Sequence, residues 1–554
     1  MPRPVNGRGT DEPGEDELRA SLPSLASLAS LQMLPSAASS PAITRRLLLK
    51  YGGLFGAGMA LSACTTNKRV VATPSPTRTL PHDARVVVAG AGLAGVTAAY
   101  RLMQSGVVAH LYEARDRIGG RCWTARDFAD GQTAEHGGEF IDSHHVHILH
   151  LAAELGLEMD DLFSGYSGNF SPTWVQGSYL QHATIHPVKS RISAQVTQAA
   201  RQIGALDAVG KFSQAAISYG TATRAAVAMD QISMAEWLDA NVPGVLDTPV
   251  GLWLDEEMAS WHGLNMADLS AINWIDYFII PAPGADERWH VHGGNDQIPT
   301  ESAAKLPTGT LHTSAALRAI VRRTDGPYEL TFDGSRSPVV ADILILTLPF
   351  STLRQVDLGR AGFGTQKMAV INDLAMGYDA KVLLQYDRRP SQMRNWTGDL
   401  NTALPDFQTW ESSATEPGAS GLVTAYAGGR TGAGWAADQP HGPAPHALSS
   451  GLIQRIDQAV PGTAAHFNGQ AWADLWPRDQ WTNGAYSAFA VGQYTKFWGG
   501  TAQPDGNAHF AGEATSTYSQ GYLNGGVESG ERAAIEVLGK LGKPVPASLA
   551  SRPH

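Results

Sequence analysis

The stretch that most constrains this chain runs from Arg85 to Asp142. Arg85–Ala89 is a short valine-rich run that reads as a buried strand, and it enters a turn with Gly90, Gly92 and Gly95 in G-x-G-x-x-G spacing. A helix is expected from about Leu93 to Ser105. The first glycine permits the tight turn, the second lets backbone approach a pyrophosphate, and the third lets helix and strand pack closely. Phosphates would then meet the positive end of the helix dipole. A second apolar strand, Val107–Tyr112, ends in Glu113, an acceptor suited to the ribose hydroxyls of an adenine dinucleotide. A glycine turn alone is weak grounds for a dinucleotide, but here the strand, helix, second strand and terminal acid accompany it.

The next residues, Glu113-Ala114-Arg115-Asp116-Arg117-Ile118-Gly119-Gly120-Arg121, resemble the E-x-x-x-R-x-G-G-R signature of the flavin amine oxidase superfamily. A guanidinium offers a fork of donors to phosphate oxygens, and paired glycines let backbone come close. The resemblance implies FAD as cofactor and an α/β fold: a discontinuous Rossmann-like FAD-binding domain with a second, mixed helix and sheet (α+β) substrate domain. Gly506–Ala514, with its A-G-x-E ending at Glu513, and the glycine-rich Gln520–Gly530 resemble the segments that close the FAD site in that superfamily. Between them, Trp289–Pro299 resembles the return to the FAD domain, and Ala341–Phe350 its strand-L-P-F pattern. The expected cofactor contacts are Gly90, Gly92, Gly95, Glu113, Arg115, Gly120, Arg121, Gly138, Phe140, Leu317, Glu513, Tyr522 and Leu523.

The implied chemistry rests on three residues. Lys381 stands alone among apolar residues in the alternating run Met376–Tyr386; a strand lysine is usually a surface residue, but the family's lysine lies under the flavin near N5. Tyr486 and Tyr522 match positions from which family members raise two aromatic rings around the amine nitrogen. The resemblance implies hydride loss from the amine Cα to flavin N5, hydrolysis of the imine to aldehyde and ammonia, and reduction of oxygen to hydrogen peroxide. Ala485 stands where some members carry a flavin-bonding cysteine, so FAD is expected to be noncovalent. Gly137-Gly138 is followed by Glu139-Phe140-Ile141-Asp142, without the arginine that amino-acid-oxidising relatives use to grip a carboxylate. The substrate is therefore expected to be a small amine. An L-amino-acid oxidase or tryptophan 2-monooxygenase, with Arg318 or Arg430 as the carboxylate partner, is an alternative, as is an electron-transfer dehydrogenase or desaturase on the same fold.

Length and composition set outer limits. With 554 residues the chain holds two or three domains, and a formal charge of −11 argues against nucleic acid as a partner. Two cysteines, Cys64 and Cys122, exclude a disulfide framework. Residues 1–64 read as a leader: Thr44–Lys50 is close to the twin-arginine export pattern, and Leu61-Ser62-Ala63-Cys64 resembles a lipobox. Cys64 is either a lipidated N-terminus or part of a cleaved peptide, and translation starts at Met1 or Met33. The expected location is the periplasm or cell surface, with a lipid anchor at Cys64 as one outcome.

The remaining organisation follows from composition and pattern. Residues 65–82 form a proline-containing linker. Residues 83–145, 285–358 and 471–541 make up the FAD-binding domain. Residues 146–284 (mostly helical) and 359–470 (sheet) make up the substrate domain, and 542–554 is a tail. His144, His145, His147 and His150 read as a solvated helix start, and no metal is expected. Leu311–Glu329 reads as a strand pair, and Trp253, Trp261 and Trp274 as core or pocket.

Overall fold

The computed structural model describes residues 80, 83–280, 284–404 and 407–550; the stretches read as an export signal and a lipobox, and every linker residue but Leu80, lie outside these. The first valine run forms the central strand Val86–Ala89 of a five-stranded parallel sheet. The order across it is Ala508–Phe510, Ile343–Leu346, Val86–Ala89, Ala109–Tyr112, Leu311–His312. Strands covered on both faces become unbroken apolar runs, and Val86 to Ala89 are all at most 2% exposed. Burying each valine contributes about 1.5–3 kcal/mol.

The helix Leu93–Gln104 packs against the closing helix Leu523–Leu541. Small residues permit this approach: a Cβ on Gly530 would lie 2.4 Å from the Ala94 carbonyl oxygen. Arg101, fully buried at this contact, is satisfied by Glu531 (Nη2 to Oε1, 2.8 Å) and Glu154 (Nη1 to Oε2, 2.6 Å). The N-terminal and C-terminal signatures are therefore joined face to face.

The second body is an eight-stranded sheet in the order His441–Pro443, Phe467–Asp474, Ala380–Tyr386, Gly421–Ala427, Phe407–Glu411, Leu400–Ala403, Thr173–Val175, Ser178–Tyr179. Ala380–Tyr386 is buried along its whole length, with Lys381 opposite Tyr426 on one side and Asp474 on the other. Helices cover this region, among them His182–Gln202, Pro249–His262 and Asn273–Ile279.

Three details differ from the sequence reading. Residues 146–284 also supply three strands, Met159–Asp161, Thr173–Val175 and Ser178–Tyr179; Thr173–Val175 finds a parallel partner in Leu400–Ala403, too far along the chain for local pattern to reveal. The strand Phe467–Asp474 crosses the boundary placed at 470. Leu311–His312 finishes the parallel sheet, and the strand pair is instead the hairpin of Leu317–Arg322 and Tyr328–Phe332. Trp253 and Trp274 are core residues, whereas Trp261 reaches a cavity. Among the described residues no helix is long and apolar enough to cross a membrane.

Candidate active site

A cavity of about 710 Å³ runs from the glycine turn of the parallel sheet to the eight-stranded sheet. At one end the backbone is bare. Gly90 has φ +99°, and a Cβ there would lie 2.5 Å from Thr347 Oγ1. Gly92 N-caps the following helix without any capping side chain, and with Leu93 and Ala94 it lines the cavity, so first-turn N–H groups are left to a ligand. Gly95 does not line the cavity; it lies beneath it, where a Cβ would sit 1.9 Å from the Gly90 carbonyl oxygen.

Glu113 is placed by this turn, its carboxylate accepting from the N–H of Ala91 (2.7 Å) and of Arg115 (2.9 Å). Arg115 is held by Asp479 at 2.6 Å. Arg117 lies behind, its guanidinium 4.1 Å from the Trp123 ring centre, and burial lowers its pKa to about 10. Arg121 Nη1 donates to the Ala485 carbonyl (2.6 Å) and to Glu513 Oε1 (2.9 Å).

Glu513 is a hub. Besides Arg121 it accepts from Ser487 N–H (3.1 Å), Ser487 Oγ (2.7 Å) and Gly521 N–H (3.0 Å). One carboxylate thus ties the signature arginine to both tyrosine-bearing segments. Gly120, Gly138, Phe140, Leu317 and Leu523 line the same cavity, and Leu523 Cδ2 would be 2.6 Å from a Cβ on Gly138. A bare helix N-terminus, an acceptor at the second strand and a paired arginine fit an adenine dinucleotide with room beyond it for a flavin.

The far end carries the other expected residues. Tyr486 Oη donates to the Ser260 carbonyl (2.8 Å) and lies 3.0 Å from Tyr426 Oη. The Tyr522 ring meets His145 edge-on at 5.0 Å. Burial pushes the hydroxyls of Tyr426, Tyr486 and Tyr522 well above their usual pKa, so all three remain protonated. Lys381 Nζ makes an ion pair with Glu139 Oε2 (2.8 Å) and donates to the Glu135 carbonyl (3.2 Å). Apart from Gly95, every expected site residue therefore lines one cavity.

The pattern of the flavin containing amine oxidoreductases matches residues 93–538. The chain belongs to that family. It is similar to the flavin-containing amine oxidase A of Sus scrofa, with 23% identity over 494 residues, 83% of this chain and 86% of the relative. Cyclohexylamine oxidase from Brevibacterium oxydans shares the fold at a TM-score of 0.71 and 21% identity, over 83% of this chain and all of that one. So does a putrescine oxidase determined with putrescine bound, at a TM-score of 0.68 and 19% identity, over 82% of this chain and 99% of that one.

The charges of this amine oxidoreductase's cavity divide unevenly. The arginines and lysines that line it are Arg115, Arg121, Arg318 and Lys381, and each is ion-paired, with Asp479, Glu513, Asp333 and Glu139 respectively. Arg430 does not line it. The lining acids Glu257, Asp276, Glu287 and Asp379 were missed by sequence reading. One signal was available: Asp276 is the lone charged residue in the mostly apolar helix NWIDYFI.

The histidine expectation is corrected. His145 is 1% exposed, because its Nδ1 accepts the Asp142 N–H at 2.9 Å, and burial lowers its pKa to about 3. His147 Nδ1 pairs with Glu531 at 2.7 Å. Asp142, His144 and His145 bring ligand atoms within 4.8 Å of one another. With Nδ1 already an acceptor, however, the neutral His145 ring carries its proton on Nε2, which leaves no lone pair for a metal.

Proposed function

We propose that the protein is an FAD-dependent amine oxidase that converts a primary amine, oxygen and water into aldehyde, ammonia and hydrogen peroxide. The observation that carries the amine reading is the charge division: every lining guanidinium and ammonium is spoken for, so nothing is left to grip an amino-acid carboxylate, while acids remain open.

FAD, when bound, accepts hydride from the amine carbon and passes electrons to oxygen. The turn Gly90–Gly95, Glu113, Arg121 and Glu513 are the residues that would hold it. With Ala485 at the position read as the covalent-attachment site, the cofactor is noncovalent and is released by acid precipitation. Tyr486 and Tyr522 position the amine between protonated, neutral rings. Leu317, Leu523 and Trp410 give the cavity part of its apolar wall. Lys381, neutralised by Glu139, is the group placed to hold a proton at Nζ during reoxidation by oxygen.

The test is anaerobic bleaching of the bound flavin across a panel of amines and L-amino acids. Bleaching by amines, followed by peroxide on admitting oxygen, supports the reading. Bleaching by amino acids alone replaces it with an amino-acid oxidase, and reduction without oxygen consumption makes the protein an electron-transfer dehydrogenase. The leader supports a further proposal, export with Cys64 as the mature N-terminus; mass spectrometry of exported protein that found an N-terminus upstream of Cys64 would refute it.

A further inference from the structure

A buried row of polar side chains runs from the cofactor end of the cavity to the edge of the eight-stranded sheet. It begins at Arg115, which lines the cavity and whose Nη2 donates to Asp479 Oδ2 at 2.6 Å. The same oxygen lies 2.7 Å from His441 Nε2, and His441 Nδ1 lies 2.8 Å from Asp474 Oδ1. His136 Nδ1 ends the row, 2.9 Å from Asp474 Oδ2. Arg115, just after the second strand of the parallel sheet, is thus tied to the edge strand His441–Pro443, on which His441 stands opposite Asp474.

His441 cannot make both contacts as a neutral ring. A neutral imidazole has one N–H and one lone pair, so the nitrogen without the proton would face a carboxylate oxygen lone pair to lone pair. Only the imidazolium donates to both. Charge balance requires the same state. The side chains of Asp474 and Asp479 are 0% and 2% exposed, Arg115 neutralises one of them, and His136 needs only a single N–H to reach Asp474. Burial raises both carboxyls, but the two histidines at Asp474, and His441 with Arg115 at Asp479, more than reverse it, to about 2 at Asp479. Burial alone would likewise lower the His441 pKa, and the two carboxylates more than offset it, so that pKa is raised. The other neighbours of the ring are aromatic, Trp476 edge-on at 4.7 Å and Trp123 edge-on at 5.3 Å, the latter carrying Arg117 on its face.

We propose that His441, as an imidazolium, is a positioning residue for the cofactor: it bridges Asp474 and Asp479, balances their charge, and so leaves Arg115 to present its open donors to the anionic part of the dinucleotide. This rests on the FAD reading. With Nη2 committed to Asp479, Arg115 keeps Nε and Nη1 without a protein acceptor among the described residues. Loss of the His441 proton takes one of Asp479's two cationic partners away and leaves a net negative charge in a buried group beside an anionic ligand. By linkage, FAD binds more weakly as pH rises through the His441 titration, and bound FAD in turn holds that proton more tightly.

The experiment dilutes the flavin-loaded protein in steps at a series of pH values and reads released FAD by its fluorescence, which gives Kd without any turnover. Wild type is expected to lose affinity about tenfold between about pH 6.5 and pH 9.5. His441→Gln, whose amide carries no charge, is expected to bind FAD about tenfold more weakly than wild type at the lower pH and to change little from there. Asp479→Asn removes the carboxylate that links His441 to Arg115 and is expected to flatten the slope as well, so the result does not hang on one variant folding. A wild-type affinity that does not change with pH, or a slope that persists unchanged in either variant, overturns the role of His441 and leaves the FAD reading standing. A protein that is isolated without flavin and takes none up from added FAD at any pH refutes the FAD reading, and the role of His441 with it.

Discussion

Lys381 Nζ lies 2.8 Å from Glu139 Oε2, and Trp410 Nε1 donates to the other oxygen of the same carboxylate at 2.9 Å. The lysine, on the third strand of the eight-stranded sheet, is thus anchored by the residue that follows Gly137-Gly138. Both side chains are only 6% exposed, so neither charge is solvated by water. Removing one partner of such a pair costs about 3–5 kcal/mol, because the other is left buried and unmatched.

That relationship shapes the first prediction. Lys381→Met is expected to slow reoxidation by oxygen more than anaerobic flavin reduction, and also to lower thermal stability. Pairing it with Glu139→Gln separates the two effects. The double variant should recover much of the stability while reoxidation stays slow. Stopped-flow measurement of both half-reactions checks this, and an unchanged oxidative half-reaction in Lys381→Met removes the lysine from the chemistry.

Glu513 gathers Arg121, Ser487 and Gly521 onto one carboxylate, so its loss should loosen the flavin end without unfolding the sheet beneath. A hydrogen bond to a charged group contributes about 1.5–3 kcal/mol. Glu513→Gln should therefore weaken FAD retention about ten- to a hundredfold. Flavin content after gel filtration at a series of added FAD concentrations measures it. Retention equal to wild type would mean that the carboxylate serves only the protein's own hydrogen bonds.

The cofactor half of the site was legible because each part carries its own local chemistry: a strand with nothing but apolar residues, glycines where a Cβ cannot fit, and an acid at the end of the next strand. The substrate half was not. Lys381 and the tyrosines came from resemblance, and the partner that fixes Lys381, Glu139, lies 242 residues away. Glu287 gives no signal at all in Ala285-Asp286-Glu287-Arg288, where charged neighbours look like a solvated loop. His145 misled for the opposite reason, since its burial depends on a backbone N–H three residues earlier.

Glu287 supplies a pH prediction. Burial and the surrounding acids raise its carboxyl from 4.5 to about 8. The groups facing it are Asp142, Glu139, Asp399 and Asp286, with Lys381 already committed to Glu139 and the Tyr426 and Tyr522 hydroxyls protonated. Across this window the native state binds the proton and the unfolded chain does not, so stability falls as pH rises from about 4.5 to about 8 and then levels. Glu287→Gln should melt at nearly the wild-type temperature at pH 5 and a few degrees higher at pH 8.5. A melting difference that does not change with pH would show that the carboxyl is not held neutral.

The last prediction returns to the glycine turn and uses two glycines of opposite circumstance. A Cβ on Gly95 would sit 1.9 Å from the Gly90 carbonyl oxygen and 3.0 Å from Thr347 Oγ1, and both are fixed, the first by the turn and the second by its bond to the Ala89 carbonyl. Gly95→Ala must therefore push the helix off the strand, which moves the N–H groups of the cavity rim away from the cofactor. Gly539 lies in the exposed last turn of the closing helix with open space around it. There the same methyl lowers the entropy of the unfolded chain and should stabilise by about 0.5–1 kcal/mol. Flavin content and melting temperature together decide the matter. Gly95→Ala should lose FAD and melt lower, Gly539→Ala should keep FAD and melt slightly higher, and a Gly95→Ala protein that retains its flavin would mean that the turn can widen without losing its grip on the pyrophosphate.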